Sequence, residues 1–206
     1  MIAMYLLGAI VLVFLGQYVF LTPQATVFGT NWCPPGNLVC LDPATLAQHP
    51  WTILTSMFLH GGWLHLFFNG FALYMFGPYL EQIIGSRRFL AVYFLSGIAG
   101  ALAYAATYYL GILPASIPAL GASGAIFGIL GAVAVLRPNL PIYMWFVPMP
   151  MKFAALVWVG LSLIETFNVT GVAGAAHLGG LVVGAVMAYA WLKSGKVEWT
   201  HDAGYY

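Results

Sequence analysis

Charged residues are scarce in this chain: aspartate, glutamate, lysine and arginine make up 5% of its 206 residues. A soluble domain carries about 25%. Hydrophobic residues make up 62% of the chain, more than one core of this length can bury, so most of the apolar surface must face lipid. The shortage of charge predicts an integral membrane protein. The formal net charge of +1, with no basic run, argues against a nucleic-acid partner.

Cysteine is almost absent too, since the chain has only Cys33 and Cys40. Both lie in a long polar loop. If that loop is outside the cytoplasm, a disulfide between them is permitted, and two unpaired cysteines are the alternative. The sequence also lacks an internal repeat, a low-complexity segment and a signal-peptide pattern of basic residues and cleavage site. These absences predict one transmembrane domain over residues 1–206.

Apolar runs long enough to cross a bilayer are abundant. A transmembrane helix needs about 17–25 such residues, and six runs qualify, although the fourth is short and rich in glycine. They predict an all-α bundle of six transmembrane helices, with an outer loop over about 23–62. Within that loop, Trp51–Leu59 is predicted to form a separate short apolar segment. The six spans are Met4–Leu21, Trp63–Leu80, Phe89–Leu110, Ser123–Leu136, Lys152–Phe167 and Ala173–Leu192.

The basic residues indicate which way the spans run. Six spans place both chain ends on one side, and every lysine and arginine falls on that side of the predicted topology. Because basic loops stay in the cytoplasm, both termini are predicted to be cytoplasmic and the 23–62 loop to face the outside of the cell membrane. The basic residues are Arg87, Arg88, Arg137, Lys152, Lys193 and Lys196.

Four polar residues inside the spans are predicted to meet at one depth. His65 and Asn69 are four residues apart, so they share a face of the second span. Ser123 begins the fourth span and His177 lies about one turn into the sixth, and all three of these span starts are outer ends. One such residue would be explained by packing between helices. Four residues from three spans predict a functional site.

Their chemistry predicts acyl transfer by a serine nucleophile. Neutral His177 is the base placed to take the proton of Ser123. The oxyanion that forms can be stabilised by the free N–H of Ser123 at the helix start, together with His65 and Asn69. No carboxylate is expected beside the histidine, which predicts a Ser–His dyad. The acidic residues considered lie in the outer loop, at the cytoplasmic end of the second span and in the tail: Asp42, Glu81 and Asp202.

Three motifs, in order and correctly spaced, resemble those of the rhomboid intramembrane serine proteases, in their minimal six-helix form of prokaryotic type. They are HGGWLHLFFN at 60–69, GASG at 121–124 and AHLGGLVVG at 176–184. The similarity extends from about Trp51 to Trp191. It implies that Ser123 is the nucleophile and His177 the general base, with His65, Asn69 and the Ser123 N–H forming the oxyanion hole.

The resemblance also implies supporting roles. Phe127 would stack on the catalytic histidine, with ordinary helix packing as the alternative, and His60 would help to hold water near the site. Small residues would allow close approach around the nucleophile and between the fourth and sixth spans; they are Gly121, Gly124, Gly180 and Gly184. Glu165, near the outer end of the fifth span, is interpreted as an interfacial charge, with a role in substrate gating as the alternative.

The function that the resemblance implies is hydrolysis of a peptide bond in or near the transmembrane segment of single-span proteins. The partners are then a transmembrane substrate and the lipid bilayer, with no cofactor, metal or nucleic acid. Two alternatives remain open. An inactive rhomboid-like protein would bind membrane clients, although such relatives lose the serine or the histidine. A small channel or transporter could also bury histidine and asparagine, but it would not need Ser123 opposite His177.

Overall fold

The computed structural model describes residues 1–20, 33, 38–112, 117–144, 146–167 and 174–197. Those residues are mainly helical, with a hairpin of two strands, β1 and β2, between α5 and α6. The helices are α1 (Ile2–Phe20), α2 (Thr52–Thr55), α3 (Trp63–Ile84), α4 (Ser86–Tyr109), α5 (Ser123–Leu136), α6 (Met151–Phe167) and α7 (Gly174–Lys193). The strands are β1 (Pro141–Met144) and β2 (Val147–Pro150), paired antiparallel.

The long helices correspond to the six predicted spans, although several ends differ. α5 has the predicted bounds, whereas α3 and α4 extend toward each other until only Gly85 separates them. Gly85 has φ of 79°, a left-handed conformation that glycine adopts without strain, so one residue is enough to reverse the chain. The described residues are mainly helical, as the all-α prediction expects, and β1 and β2 add a short hairpin in the connection between the predicted fourth and fifth spans.

Two helices of the described residues, Ser86–Tyr109 and Gly174–Lys193, are long and apolar enough to cross a membrane. Ile2–Gln17 and Ser123–Leu136 are apolar but shorter. With 14 residues, α5 measures about 21 Å, less than the roughly 30 Å of a hydrocarbon core. Most of its side chains are buried by other helices. The sixfold crossing of the membrane therefore stays a prediction.

α5 lies at the centre of the bundle, in contact with α3, α4, α6 and α7. Its closest neighbour is α7. A methyl group added to Gly180 would collide with the backbone carbonyl of Gly124, and one added to Gly184 would collide with that of Gly128. The two backbones can therefore approach this closely only because side chains are missing from both helices.

Glu81 connects the beginning of α1 to the end of α3. Its buried carboxylate accepts the N–H groups of Ile2 and Ala3, each at 2.9 Å, and the Ser86 hydroxyl at 2.6 Å. The first N–H groups of a helix have no partner within the helix, and a negative charge there also interacts favourably with the helix dipole. The start of α1 is thereby fixed at the same end of the bundle as the α3–α4 turn.

The outer loop is anchored to the segment that leads into α5. Leu41 and Ala119 exchange two backbone hydrogen bonds, of 2.9 and 2.7 Å. A disulfide joins Cys33 to Cys40, so the bridge left open by the sequence is present in the structure. Trp51 Nε1 donates to the Leu38 carbonyl at 2.8 Å. The predicted span ends at Leu21 and Ala173, and the tail residue Asp202, lie outside the described residues.

Candidate active site

Ser123 is the first residue of α5 and is partly exposed. The chain enters the helix through Gly121, whose φ of 126° is one that L side chains rarely adopt. The Gly121 N–H donates to the Ser56 carbonyl at 2.9 Å, which connects this turn to the short segment before α3. Because the first N–H groups of a helix are free of helical partners, the Ser123 N–H is presented beside its own hydroxyl.

His177 faces α5 from the first turns of α7. Its ring stacks on that of Phe127, with centroids 4.0 Å apart and planes at 1°. Phe127 lies one turn after Ser123, so the imidazole lies against the α5 face that also carries the serine. The chain before the histidine is close as well, since a methyl group at Gly124 would lie 3.4 Å from the Ala176 carbonyl oxygen. The stacking of His177 on Phe127 and the approach of Ala176 to Gly124 therefore bring His177 to the end of α5 that begins with Ser123.

No hydrogen bond of ordinary length joins the Ser123 hydroxyl to the His177 ring among the described residues. Hydrogen bonds between a nucleophile and its base are often long or poorly aligned before substrate binds, so this geometry is compatible with such a pair.

His65 presents a hydrogen-bond donor to the same turn. Its Nδ1 accepts the Gly61 N–H at 3.2 Å, so the proton of the neutral ring is assigned to Nε2. Nε2 lies directly against Gly121: a Cβ there would be 2.8 Å from Nε2 and 2.7 Å from Cε1. Glycine is therefore required at 121 both for its conformation and for the space that His65 occupies.

Asn69 lies one helical turn beyond His65 and is 6% exposed. Its side-chain nitrogen donates to the His65 carbonyl at 2.9 Å. An amide nitrogen carries two hydrogens, so one remains for a second acceptor. The structure thus places Asn69 next to His65 on the predicted face of α3.

His60 lies beneath His65, fully buried, with the two ring centroids 5.1 Å apart. Burial, and secondarily the proximity of His65, lower the pKa of His60 to about 3, so its ring stays neutral. Its backbone pairs with the buried Gln17 of α1: Gln17 Nε2 donates to the His60 carbonyl at 2.5 Å, and the His60 N–H donates to Gln17 Oε1 at 3.1 Å. The sequence interpretation missed Gln17, although an amide inside an apolar span was a visible signal.

Glu165 corrects the expectation that no carboxylate lies beside the histidine. Its Oε2 is 3.5 Å from His177 Nδ1, with the glutamate side chain 50% exposed and the histidine 13%. The signal was available in the sequence. Glu165 is close to the outer end of one span and His177 close to the outer start of the next, so a short connection brings them to one depth.

The described residues contain no group of three or more histidine, cysteine, aspartate or glutamate side chains that could hold a metal ion.

A family model, the Rhomboid domain, matches residues 47–194. The chain belongs to the rhomboid family. It is 34% identical over 193 residues to Rhomboid protein 1, mitochondrial, of Saccharomyces cerevisiae, covering 88% of this chain and 54% of that protein. It is 34% identical over 141 residues to Rhomboid protease GluP of Bacillus subtilis, covering 68% of this chain and 26% of that one.

The rhomboid family is integral to membranes, and its members are not all proteases. Inactive RHOMBOID-like protein 8 of Arabidopsis thaliana is 39% identical over 94 residues, 45% of this chain and 25% of that protein. The chain spans about half or less of the length of these relatives. Whether this rhomboid is a protease therefore depends on its own residues.

Proposed function

We propose that this rhomboid is an intramembrane serine protease that cleaves single-span membrane proteins in or near their transmembrane segment. Ser123 is the nucleophile and His177 the general base. The oxyanion hole comprises the Ser123 N–H, the Nε2–H of His65 and the free amide hydrogen of Asn69. The observation that carries the proposal is the His177 ring stacked 4.0 Å from Phe127, one turn after Ser123.

In the first step the Ser123 hydroxyl attacks the carbonyl carbon of the scissile peptide bond. Its proton passes to His177, and the carbonyl electron pair moves to the oxygen, which the donors of the oxyanion hole stabilise. Such donors are preorganised here, because Gly61 fixes the His65 ring through Nδ1 and the start of α5 fixes the Ser123 N–H. The C–N bond then breaks, and the leaving amine takes the proton from His177.

The second step releases the acyl group. A water molecule gives its proton to His177 and attacks the ester carbon, the C–O bond breaks, and Ser123 regains the proton. Water must reach this site from outside the bilayer core. The partial exposure of Ser123, His65 and His177 supports access for both water and an unwound stretch of substrate, since a fully hydrogen-bonded helix keeps its carbonyls from attack.

The same proposal includes an orientation. The chain crosses the membrane six times, with both termini in the cytoplasm and the site open to the outside of the cell membrane. Supporting this, the Arg88 guanidinium donates to the Lys196 carbonyl at 3.2 Å and lies over the Trp191 ring. The basic residues of the α3–α4 turn and of the segment after α7 are therefore at one end, where Glu81 also holds the start of α1.

A fluorophosphonate probe, which reacts with activated serines, tests the proposal on the detergent-solubilised full chain. Wild type should be labelled, Ser123→Ala should not be, and His177→Ala should lose most of the signal. Equal labelling of Ser123→Ala and wild type would contradict the assignment of the nucleophile.

The second candidate is a catalytically inactive rhomboid that binds membrane clients, favoured by the match to an inactive relative. In that case a folded wild-type chain would bind transmembrane proteins but remain unlabelled. This chain retains both the serine and the histidine, which such a role does not require. The channel or transporter reading has no such support, because it gives no reason for the contact of α5 and α7 around Ser123 and His177.

A further inference from the structure

One carboxylate is close to the base of the proposed site, and the mechanism above does not use it. Glu165 lies near the end of α6, with Oε2 3.5 Å from His177 Nδ1. At that separation the two groups are within ion-pair range, and a small movement gives a charge-assisted hydrogen bond. The contact joins neighbouring helices, so it depends on how α6 meets α7.

The two helices meet through backbone at this point. Gly174, the first residue of α7, is packed so tightly that a methyl group there would collide with the Ser162 carbonyl and would lie 2.5 Å from the Thr166 nitrogen. Thr166 is the immediate neighbour of Glu165. The missing side chain at 174 therefore keeps the end of α6 against the start of α7 and holds the carboxylate at the level of His177.

We infer that Glu165 is a positioning residue for His177, so that the reaction uses a Ser123–His177–Glu165 arrangement rather than an isolated pair. The inference rests on the proposed function. Glu165 touches neither substrate nor the reacting atoms and acts through the imidazole.

The carboxylate has two effects on the ring. By accepting from Nδ1–H it fixes the tautomer in which Nε2 is unprotonated and free to take the Ser123 proton. It also stabilises the imidazolium that exists between proton uptake and proton return. Phe127 restrains the plane of the ring from its face, whereas Glu165 restrains rotation within that plane, so the two restraints are complementary.

The effect should be moderate, because the Glu165 side chain is 50% exposed and water screens the charge. Buried triad carboxylates contribute far more. We expect Glu165→Gln and Glu165→Ala each to lower the rate of labelling by about tenfold. The apparent melting temperature should be unchanged, since little buried surface is lost.

The test measures the second-order rate of inactivation by a fluorophosphonate probe on the full chain in detergent. Wild type, Glu165→Gln, Glu165→Ala and the matched control Ile164→Ala are compared; Ile164 is the exposed neighbour of Glu165 on the same helix. Each variant is also measured with added formate, a small carboxylate. Formate should raise the rate of Glu165→Ala toward that of wild type and leave wild type and the control unchanged.

Three results would overturn the inference. The first is a Glu165→Gln variant that reacts as fast as wild type. Glu165 would then be an interfacial charge, or a gate for larger substrates that the small probe does not need. The second is a loss of rate that follows a lower melting temperature. The third is a slow Glu165→Ala variant that formate does not restore. An unlabelled wild-type chain would instead contradict the proposed function itself.

Discussion

Among the individual residues, His65 and Gly121 depend on each other most directly. The donor role proposed for His65 needs Nε2 to carry the proton and to point at the turn before Ser123. The Gly61 N–H donates to Nδ1 and so leaves the proton on Nε2. The absence of a side chain at Gly121 leaves room for the ring to point at the turn. Neither residue could perform its part if the other were changed, because the ring and the backbone are already in van der Waals contact.

Gly121→Ala should therefore impair activity. The new methyl group would lie 2.7 Å from His65 Cε1, and φ is 126°, so both the ring and the turn must shift. Losing one oxyanion donor costs about 10²–10³ in kcat, and we expect a loss of labelling rate of at least about tenfold. Gly160→Ala is the matched control, because a methyl group there meets nothing within 4 Å. An active Gly121→Ala variant would contradict the placement of His65.

His60 gives a prediction about pH. Its pKa is about 3 in the folded chain and about 6.5 when unfolded. Between pH 6.5 and pH 3, His60 is mostly protonated in the unfolded chain but mostly neutral in the folded chain. The free energy of unfolding therefore falls as the pH is lowered toward 3. The loss from this residue between about pH 7 and pH 5 is about 2 kcal/mol, measurable as a lower apparent melting temperature in detergent.

His60→Gln should flatten this dependence, whatever its effect on stability at neutral pH, because glutamine does not titrate. Gln48→Ala, at an exposed residue that does not titrate, should keep the wild-type slope. If His60→Gln and wild type lose stability equally as the pH falls, His60 is not the group responsible.

At the scale of helices, the contact of α5 with α7 determines whether a site exists. Ser123 and His177 come from different helices, and only the glycine-to-glycine approach brings them together. By contrast, a methyl group added to Gly8 or Gly16 of α1, or to Gly160 of α6, would meet nothing within 4 Å. Glycine-to-alanine substitutions at the tight α5–α7 contact and at the open positions therefore distinguish the effect of close packing from that of helix propensity.

Gly184→Ala should lower both stability and activity. Its methyl group would collide with the Gly128 carbonyl, and overpacking of this kind costs about 1–3 kcal/mol. The apparent melting temperature should drop, and the labelling rate with it, since α7 carries His177. Gly8→Ala in α1, where nothing lies within 4 Å, should keep or slightly raise stability because alanine favours helix. Unchanged stability of Gly184→Ala would argue against the close contact.

The order of the helices and their relative directions could be predicted from the sequence. Apolar runs predicted where the long helices lie, and their alternating directions predicted that His65, Ser123 and His177 share one level, in agreement with the contacts of His65 at Gly121 and of His177 at Phe127. The ends of α3 and α4 were harder to predict, because Glu81 and Arg87 are polar yet remain helical on both sides of Gly85. The tautomer of His65, the Gln17 pair and the contact of Glu165 depend on side-chain positions across helices, which no spacing within one helix encodes.

At the scale of the whole molecule, the proposal specifies the direction of the chain across the bilayer. Every basic residue is predicted on one side, and the contact of Arg88 with Lys196 agrees with this. The described part of the 23–62 loop, with its disulfide and the pairing of Leu41 to Ala119, lies at the opposite end, next to the turn that precedes Ser123. This arrangement would keep the proposed site away from the cytoplasm.

Cysteine accessibility tests this orientation. In a Cys33→Ser, Cys40→Ser background, Gln48→Cys and Asn139→Cys introduce thiols at exposed positions on opposite ends of the predicted topology. A membrane-impermeant maleimide should label Gln48→Cys in intact cells and Asn139→Cys only after lysis. The reverse pattern would mean that the chain is inserted the other way.

If Ser123 is an activated nucleophile, a fluorophosphonate should modify that one serine, and mass spectrometry of the reacted chain locates the adduct. We expect a single phosphonyl group on Ser123, formed in the folded wild type, absent after heat unfolding and strongly reduced in His177→Ala. An adduct on another serine, or a folded wild-type chain that remains unmodified, would contradict it.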